Sequence, residues 1–184
     1  MNPRNIYLIG FSGTGKSTVA RLLGAELGWS NWDVDQLIVA QSGMAIPAIF
    51  AAEGEADFRL RESLALRTAA EAQPVVVATG GGAVLRDENR ALMAETGWVI
   101  ALEARPETIQ QRIAAQLRQA TPDAVRPLLD ADDQLEQARA LKQRRQHLYA
   151  LADWTVHTDR LNAEQVVAEI IRAVELLEKL VDPQ

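Results

Sequence analysis

Residues Gly10-Phe11-Ser12-Gly13-Thr14-Gly15-Lys16-Ser17-Thr18 set three glycines and an ammonium among hydroxyls in one short stretch. The order G-x-x-x-x-G-K-S is that of a phosphate-binding loop, in which successive backbone N–H groups wrap a phosphate chain. Glycine suits this because a Cβ would block the close approach. Lys16 can reach the β- and γ-phosphates, and the Ser17 hydroxyl can hold Mg²⁺. Gly13, Thr14, Gly15, Lys16, Ser17 and Thr18 are therefore the expected nucleotide contacts. The helix they open favours an anion at its N-terminus.

Three further groupings carry chemistry. Asp33-Val34-Asp35 reads as the end of a second strand, where a spacing of two turns both carboxylates the same way. Asp33 then suits Mg²⁺ or its water shell, and Asp35 suits an acceptor hydroxyl; capping of the following helix is the competing role. Gly80-Gly81-Gly82 follows Thr79, where many nucleotide hydrolases carry an Asp. A backbone without side chains lets a compact ligand sit against N–H groups, although a simple tight turn accounts for the triplet equally well. Arg59, Arg126 and Arg145 form the third grouping. A guanidinium fork binds a carboxylate bidentately or neutralises a transferring phosphoryl group.

The elements that must position these groups alternate. Strands are expected at Asn5–Ile9, Trp29–Val34, Val75–Ala78, Trp98–Leu102 and Trp154–His157. Val75–Ala78 is apolar throughout, the pattern of a strand buried on both faces of a parallel sheet. Helices are expected over Ser17–Leu27, Gln36–Gln41, Ile46–Ala52, Glu55–Glu71, Asp87–Glu95, Pro106–Arg118, Asp132–Leu151 and Asn162–Leu180. The last opens with the capping pair Asn162 and Gln165. Strand–helix alternation of this kind gives an α/β fold with a parallel sheet covered on both faces. Ligands in such sheets bind beyond the carboxyl ends of the strands, so the phosphate loop, Asp33, Asp35 and Gly80–Gly82 should share one cleft.

A chain of 184 residues, 48% of them hydrophobic, is enough for one domain with a full core. The net charge of −6 argues against a nucleic-acid surface, and the absence of cysteine excludes disulfide and thiolate chemistry. No apolar run approaches the ~20 residues that span a bilayer. A cytoplasmic monomer acting on a small molecule, with no membrane or nucleic-acid partner, is the expectation.

Taken in order, the motifs resemble those of the shikimate kinase family. Gly10–Thr18 and Asp33-Val34-Asp35 are followed by Ile49-Phe50-Ala51-Ala52-Glu53-Gly54-Glu55-Ala56-Asp57-Phe58-Arg59, then Gly80-Gly81-Gly82, Arg126-Pro127-Leu128-Leu129 and Arg145-Gln146-His147-Leu148-Tyr149. The resemblance implies a three-layer α/β/α fold of P-loop kinase type, with a central five-stranded parallel sheet. It also implies a substrate-binding subdomain near 34–62 and a mobile lid near 119–130. The implied reaction is ATP-dependent phosphorylation of the 3-hydroxyl of shikimate, a step toward chorismate and the aromatic amino acids. Asp35, Arg59, Gly80, Gly81, Gly82 and Arg145 would surround shikimate. Ser17 and Asp33 would position Mg²⁺. Lys16, Asp35 and the lid residue Arg126 would serve the transfer.

Several positions depart from the family pattern. Val34 separates the aspartates in place of a small hydroxyl, Val39 stands where Glu is common, and His147 replaces a proline. Gln119 stands seven residues before Arg126, where some members stack an arginine on adenine; the adjacent Arg118 is the candidate substitute. A related small-molecule kinase, such as a gluconate kinase, is the alternative enzyme. A non-catalytic nucleotide switch is the other class, but the guanine-reading N-K-x-D is absent from the chain.

Overall fold

The computed structural model describes residues 4–119 and 134–181. Five parallel strands form one sheet in the order β2-β3-β1-β4-β5: β1 Asn5–Ile9, β2 Ser30–Asp33, β3 Val75–Ala78, β4 Gly97–Glu103 and β5 Trp154–His157. Seven helices are described: α1 Lys16–Leu27, α2 Val34–Ser42, α3 Ile46–Glu71, α4 Asp87–Thr96, α5 Pro106–Gln119, α6 Gln134–Tyr149 and α7 Ala163–Val181. The alternating pattern expected from sequence is the one observed, with a five-stranded α/β sheet at its centre.

Strand alternation divides the core. Tyr7, Ile9, Val75, Val77, Val99 and Ala101 point into one layer with Val34, Ile38, Ile49 and Phe58 of α2 and α3. Ile6, Leu8, Val76, Ala78, Ile100 and Leu102 point into the other with Val19 and Leu23 of α1 and Val167 and Ile170 of α7. Because both faces are dry, β1, β3 and β4 read as unbroken apolar runs rather than alternating ones. The capping pair of α7 forms reciprocally: the Asn162 N–H donates to Gln165 Oε1 at 2.9 Å, and the Gln165 N–H donates to Asn162 Oδ1 at 2.8 Å.

Two expectations are corrected and one is borne out. Asp35 is not on a strand, since β2 ends at Asp33 and α2 begins at Val34. The stretches expected as separate helices, Ile46–Ala52 and Glu55–Glu71, are indeed two helices that meet at a kink at Gly54 (φ 84°, ψ 177°), and the label α3 spans both. The long helix expected to reach Leu151 ends at Tyr149, and its expected start at Asp132 lies outside the described residues, as does most of the lid range 119–130.

Asn5, fully buried at the start of β1, holds three elements together. Its Oδ1 accepts the Val75 N–H at 3.2 Å, while its Nδ2 donates to Ala70 O near the end of α3 and to Tyr7 Oη, each at 3.2 Å. Asn5→Ala would leave the buried Val75 N–H without its partner, at a cost of about 1–3 kcal/mol. Urea denaturation should show a lower midpoint at an unchanged slope, and an unmoved midpoint would refute the tie.

Candidate active site

The cleft lies at the carboxyl ends of β1, β2 and β3, where the parallel strands all finish and the chain must turn. Gly13, Gly15, Lys16, Ser17, Thr18, Asp33, Asp35 and Gly81 line it together. Gly15 is the N-cap of α1 at φ 100°, and a Cβ there would meet nothing within 4 Å, so glycine is required for its backbone conformation alone. Buried Thr14 closes the loop by donating its hydroxyl to Phe11 O at 2.9 Å. Lys16 Nζ donates to Gly10 O at 2.8 Å and to Phe11 O at 2.9 Å, which holds the ammonium on the loop that α1 follows. Ser17 and Thr18, in the first turn of α1, are exposed on the cleft side.

Asp33 and Asp35 reach this cleft by a route other than strand alternation. Asp33 is the N-cap of α2, and its Oδ1 accepts the backbone N–H groups of Asp35 at 3.0 Å and Gln36 at 3.3 Å. The capping role and the cleft-lining role therefore coexist in one carboxylate. Asp35 sits in the first turn of α2, where the helix dipole favours its charge.

Gly80–Gly82 work mainly by making room. A Cβ on Gly80 would run into Glu62 Oε1 and stand 3.2 Å from Asp35 Oδ1. One on Gly82 would fall 2.5 Å from Arg59 Cζ, and one on Gly81 would press on the Ser12 backbone nitrogen at 3.3 Å. The triplet is thus the surface against which the acceptor-side charges and the phosphate loop are packed, a stronger constraint than a tight turn.

Glu62 is the residue that sequence reasoning missed. It is fully buried and pairs with Arg59 Nη1 at 2.9 Å, while Arg59 Nη2 reaches Glu55 at 3.0 Å. The signal was present, because a carboxylate three residues after an arginine shares its helix face. Burial pushes the Glu62 carboxyl above the usual carboxylate range; Arg59 opposes this and the nearby Asp35 charge adds to it. Arg59 Nε and Glu62 Oε1 are buried without a hydrogen-bond partner among the described residues.

Arg145 arrives from the other side of the cleft on α6. It is buried, and Nη1 donates to Gly81 O at 3.2 Å, the same carbonyl that accepts the Tyr149 hydroxyl at 2.7 Å. Desolvation pushes the Tyr149 phenol up to about 12, with Arg145 opposing. Lys142, one turn before Arg145, pairs with Glu103 at the end of β4 and fixes the axial position of α6.

On the nucleotide side, Arg112 of α5 was also unforeseen. Its Nη1 donates to Thr14 O at 3.2 Å and to Thr158 Oγ1 at 2.8 Å, and Nη2 donates to Thr158 O at 2.6 Å. No sequence signal could have found it, since Thr14 and Thr158 meet only through the order of the sheet. Arg126 and the side chain of Arg118 lie outside the described residues.

A phosphate loop on a parallel sheet, opposed by Arg59, Arg145 and an aspartate, defines a P-loop phosphotransferase of the small-molecule kinase type. The chain belongs to the shikimate kinase family: that family's model matches residues 12–175. A shikimate kinase of Symbiobacterium thermophilum is 44% identical over 172 residues, spanning 93% of this chain and 96% of its own length. Among solved structures, the shikimate kinase of Acinetobacter baumannii in complex with shikimate superposes with a TM-score of 0.87 at 35% identity, covering 97% of this chain and 96% of that one. A gluconokinase from Sinorhizobium meliloti, at 18% identity and a TM-score of 0.63 over 97% of this chain and 95% of that one, shares the fold alone.

Two outcomes test this geometry. Gly82→Ala should displace the Arg59 guanidinium and raise the KM for an acidic acceptor at least about tenfold with little change in the KM for ATP, in steady-state assays of both substrates. Equal effects on both would refute a role confined to the acceptor side. In an ultraviolet titration, one of the two tyrosines should ionise near about 12, and Tyr149→Phe should remove that step. Because the folded value lies above the ordinary one near 10, the stability carried by this phenol is complete below about pH 10 and lost as pH rises through the folded value.

Proposed function

We propose that the protein transfers the γ-phosphoryl group of ATP to the 3-hydroxyl of shikimate, giving shikimate 3-phosphate and ADP. The observation that carries this reading is the arrangement of Arg59, Glu62 and Arg145 around Gly80–Gly82, facing Asp35 and the phosphate loop, in a chain of the shikimate kinase family. An acceptor bearing an anion suits the buried Arg145 and partly buried Arg59 guanidinium groups, and hydroxyls suit Asp35. Shikimate has a carboxylate and three hydroxyls on one ring.

Arg59 and Arg145 hold the carboxylate, with Glu62 keeping Arg59 in place and the glycine backbone leaving room for the ring. Asp35 accepts a hydrogen bond from the reacting hydroxyl and orients its lone pair toward the γ-phosphorus. Lys16 and the N–H groups of Gly13–Thr18 bind the phosphates and stabilise the charge that builds during transfer. Little covalent help is needed, so positioning dominates the rate.

Mg²⁺ fits the donors present. The Ser17 hydroxyl and the Asp33 carboxylate line one cleft, and this cation is usually held by one or two protein oxygens together with phosphates and water. When bound, it neutralises charge on the transferring group. Arg126, on a lid near 119–130, is assigned to the phosphates by the family motif, with Arg118 near the adenine. The subdomain near 34–62 is assigned to the acceptor. The net charge of −6 supports a small-molecule partner over a nucleic acid, and a cytoplasmic monomer without a membrane partner completes the proposal.

A coupled assay should show ADP release that depends on shikimate, with turnover nearly abolished in Lys16→Ala and Arg59→Ala. Equal ADP release without shikimate, or preference for gluconate or a nucleoside monophosphate in the same assay, would overturn the reading.

A further inference from the structure

Two contacts bridge the break in α3, and neither can form in a continuous helix. Glu53 and Arg61 are eight residues apart, a rise of about 12 Å in a straight α-helix. Yet Arg61 Nε donates to Glu53 Oε2 and Nη2 to Glu53 Oε1, both at 2.8 Å. Phe50 and Phe58, also eight apart, bring their ring centroids to 4.5 Å. Gly54 makes both contacts geometrically accessible: its φ of 84° and ψ of 177° lie in a region open essentially to glycine alone. A Cβ there would meet nothing within 4 Å, so the requirement is purely conformational.

The break separates two parts of the acceptor side. Before it, the first half of α3 packs with α2, which carries Asp35; Val34, Ile38 and Ile49 share one buried cluster. After it, the second half carries Arg59 and Glu62 and is anchored in the core through Ala65, Leu66 and Ala69. The angle at Gly54 therefore bears on how far Asp35 stands from Arg59. A bidentate guanidinium–carboxylate pair restricts that angle because its planar fork fixes orientation as well as distance.

We infer that Glu53 and Arg61 form a clamp across Gly54 that positions the Asp35-bearing arm against Arg59, making them positioning residues for the acceptor. Neither lines the phosphate cleft, and both are partly exposed. The inference rests on shikimate as acceptor only for its kinetic readout. It has a structural readout that does not.

The kinetic arm compares Glu53→Gln, Arg61→Gln and the double variant in the full-length chain. Each single change should raise the KM for shikimate about two- to fivefold, with the KM for ATP unchanged. The double variant should be no worse than either single one, because one interaction is lost only once. Gly54→Ala should exceed both single variants. For the structural arm, the chain has no cysteine of its own, so spin labels can be placed at Gln41→Cys and Thr68→Cys, one on each side of the break. Their distance distribution should be narrow in the otherwise unchanged chain and broader in each clamp variant, without any ligand. Unbroadened distances, additive penalties in the double variant, or an equal rise in the KM for ATP would each overturn the clamp. Wild-type ADP release without shikimate would instead overturn the choice of acceptor and leave the distance test standing.

Discussion

The Arg59–Glu62 pair, a partly buried guanidinium on a fully buried carboxylate, is the constraint around which this half of the cleft is organised. Both side chains lie against Gly80–Gly82, where any Cβ at the first or third position would overlap one of them. An ion pair taken out of water is not a source of stability in itself, since desolvation offsets much of the attraction. Its effect here is orientation: Glu62 on one side and Glu55 on the other fix the direction in which the Arg59 guanidinium points. The cost of that preorganisation is carried by the surrounding apolar cluster, in which Phe58 and Leu66 of the same helix are buried.

Gly81 joins the two sides of the cleft. It packs on the phosphate loop at Ser12 on one face, and its carbonyl accepts from Arg145 and Tyr149 on the other. A shift of this one peptide would disturb the donor side and the acceptor side together. Arg112 plays the corresponding part on the nucleotide side, tying α5 to the phosphate loop at Thr14 and to Thr158 beyond β5. Helices α5 and α6 are both fastened to the cleft by arginines.

Much of this was legible in the chain. The phosphate loop is contiguous, so its residues can be read from spacing, and the apolar runs of β1, β3 and β4 announce a sheet buried on both faces. The aspartates were found for a mistaken reason. Strand alternation was expected to align Asp33 with Asp35, whereas a helix cap and the first turn of α2 do so. Glu62 could have been found from its helix spacing to Arg59, but a carboxylate in a charged helix is usually solvated, and only burial sets this one apart. The stretches Ile46–Ala52 and Glu55–Glu71 were legible as separate helices, and the non-helical dihedrals of Gly54 are what part them.

The sequence by itself determined the elements whose contacts are local: the glycine loop, the capping pair of α7, the order of strands and helices, and hence the α/β class. Those features depend on residues within a turn or two of one another, and local spacing encodes them. The tertiary structure alone decided which distant groups face each other: Arg145 and Tyr149 on one carbonyl of the glycine triplet, Arg112 between Thr14 and Thr158, and Glu62 beneath Gly80. Those meetings follow from the strand order β2-β3-β1-β4-β5, which brings together residues far apart along the chain. No local pattern carries that order, because it results from how the whole chain buries both faces of its sheet.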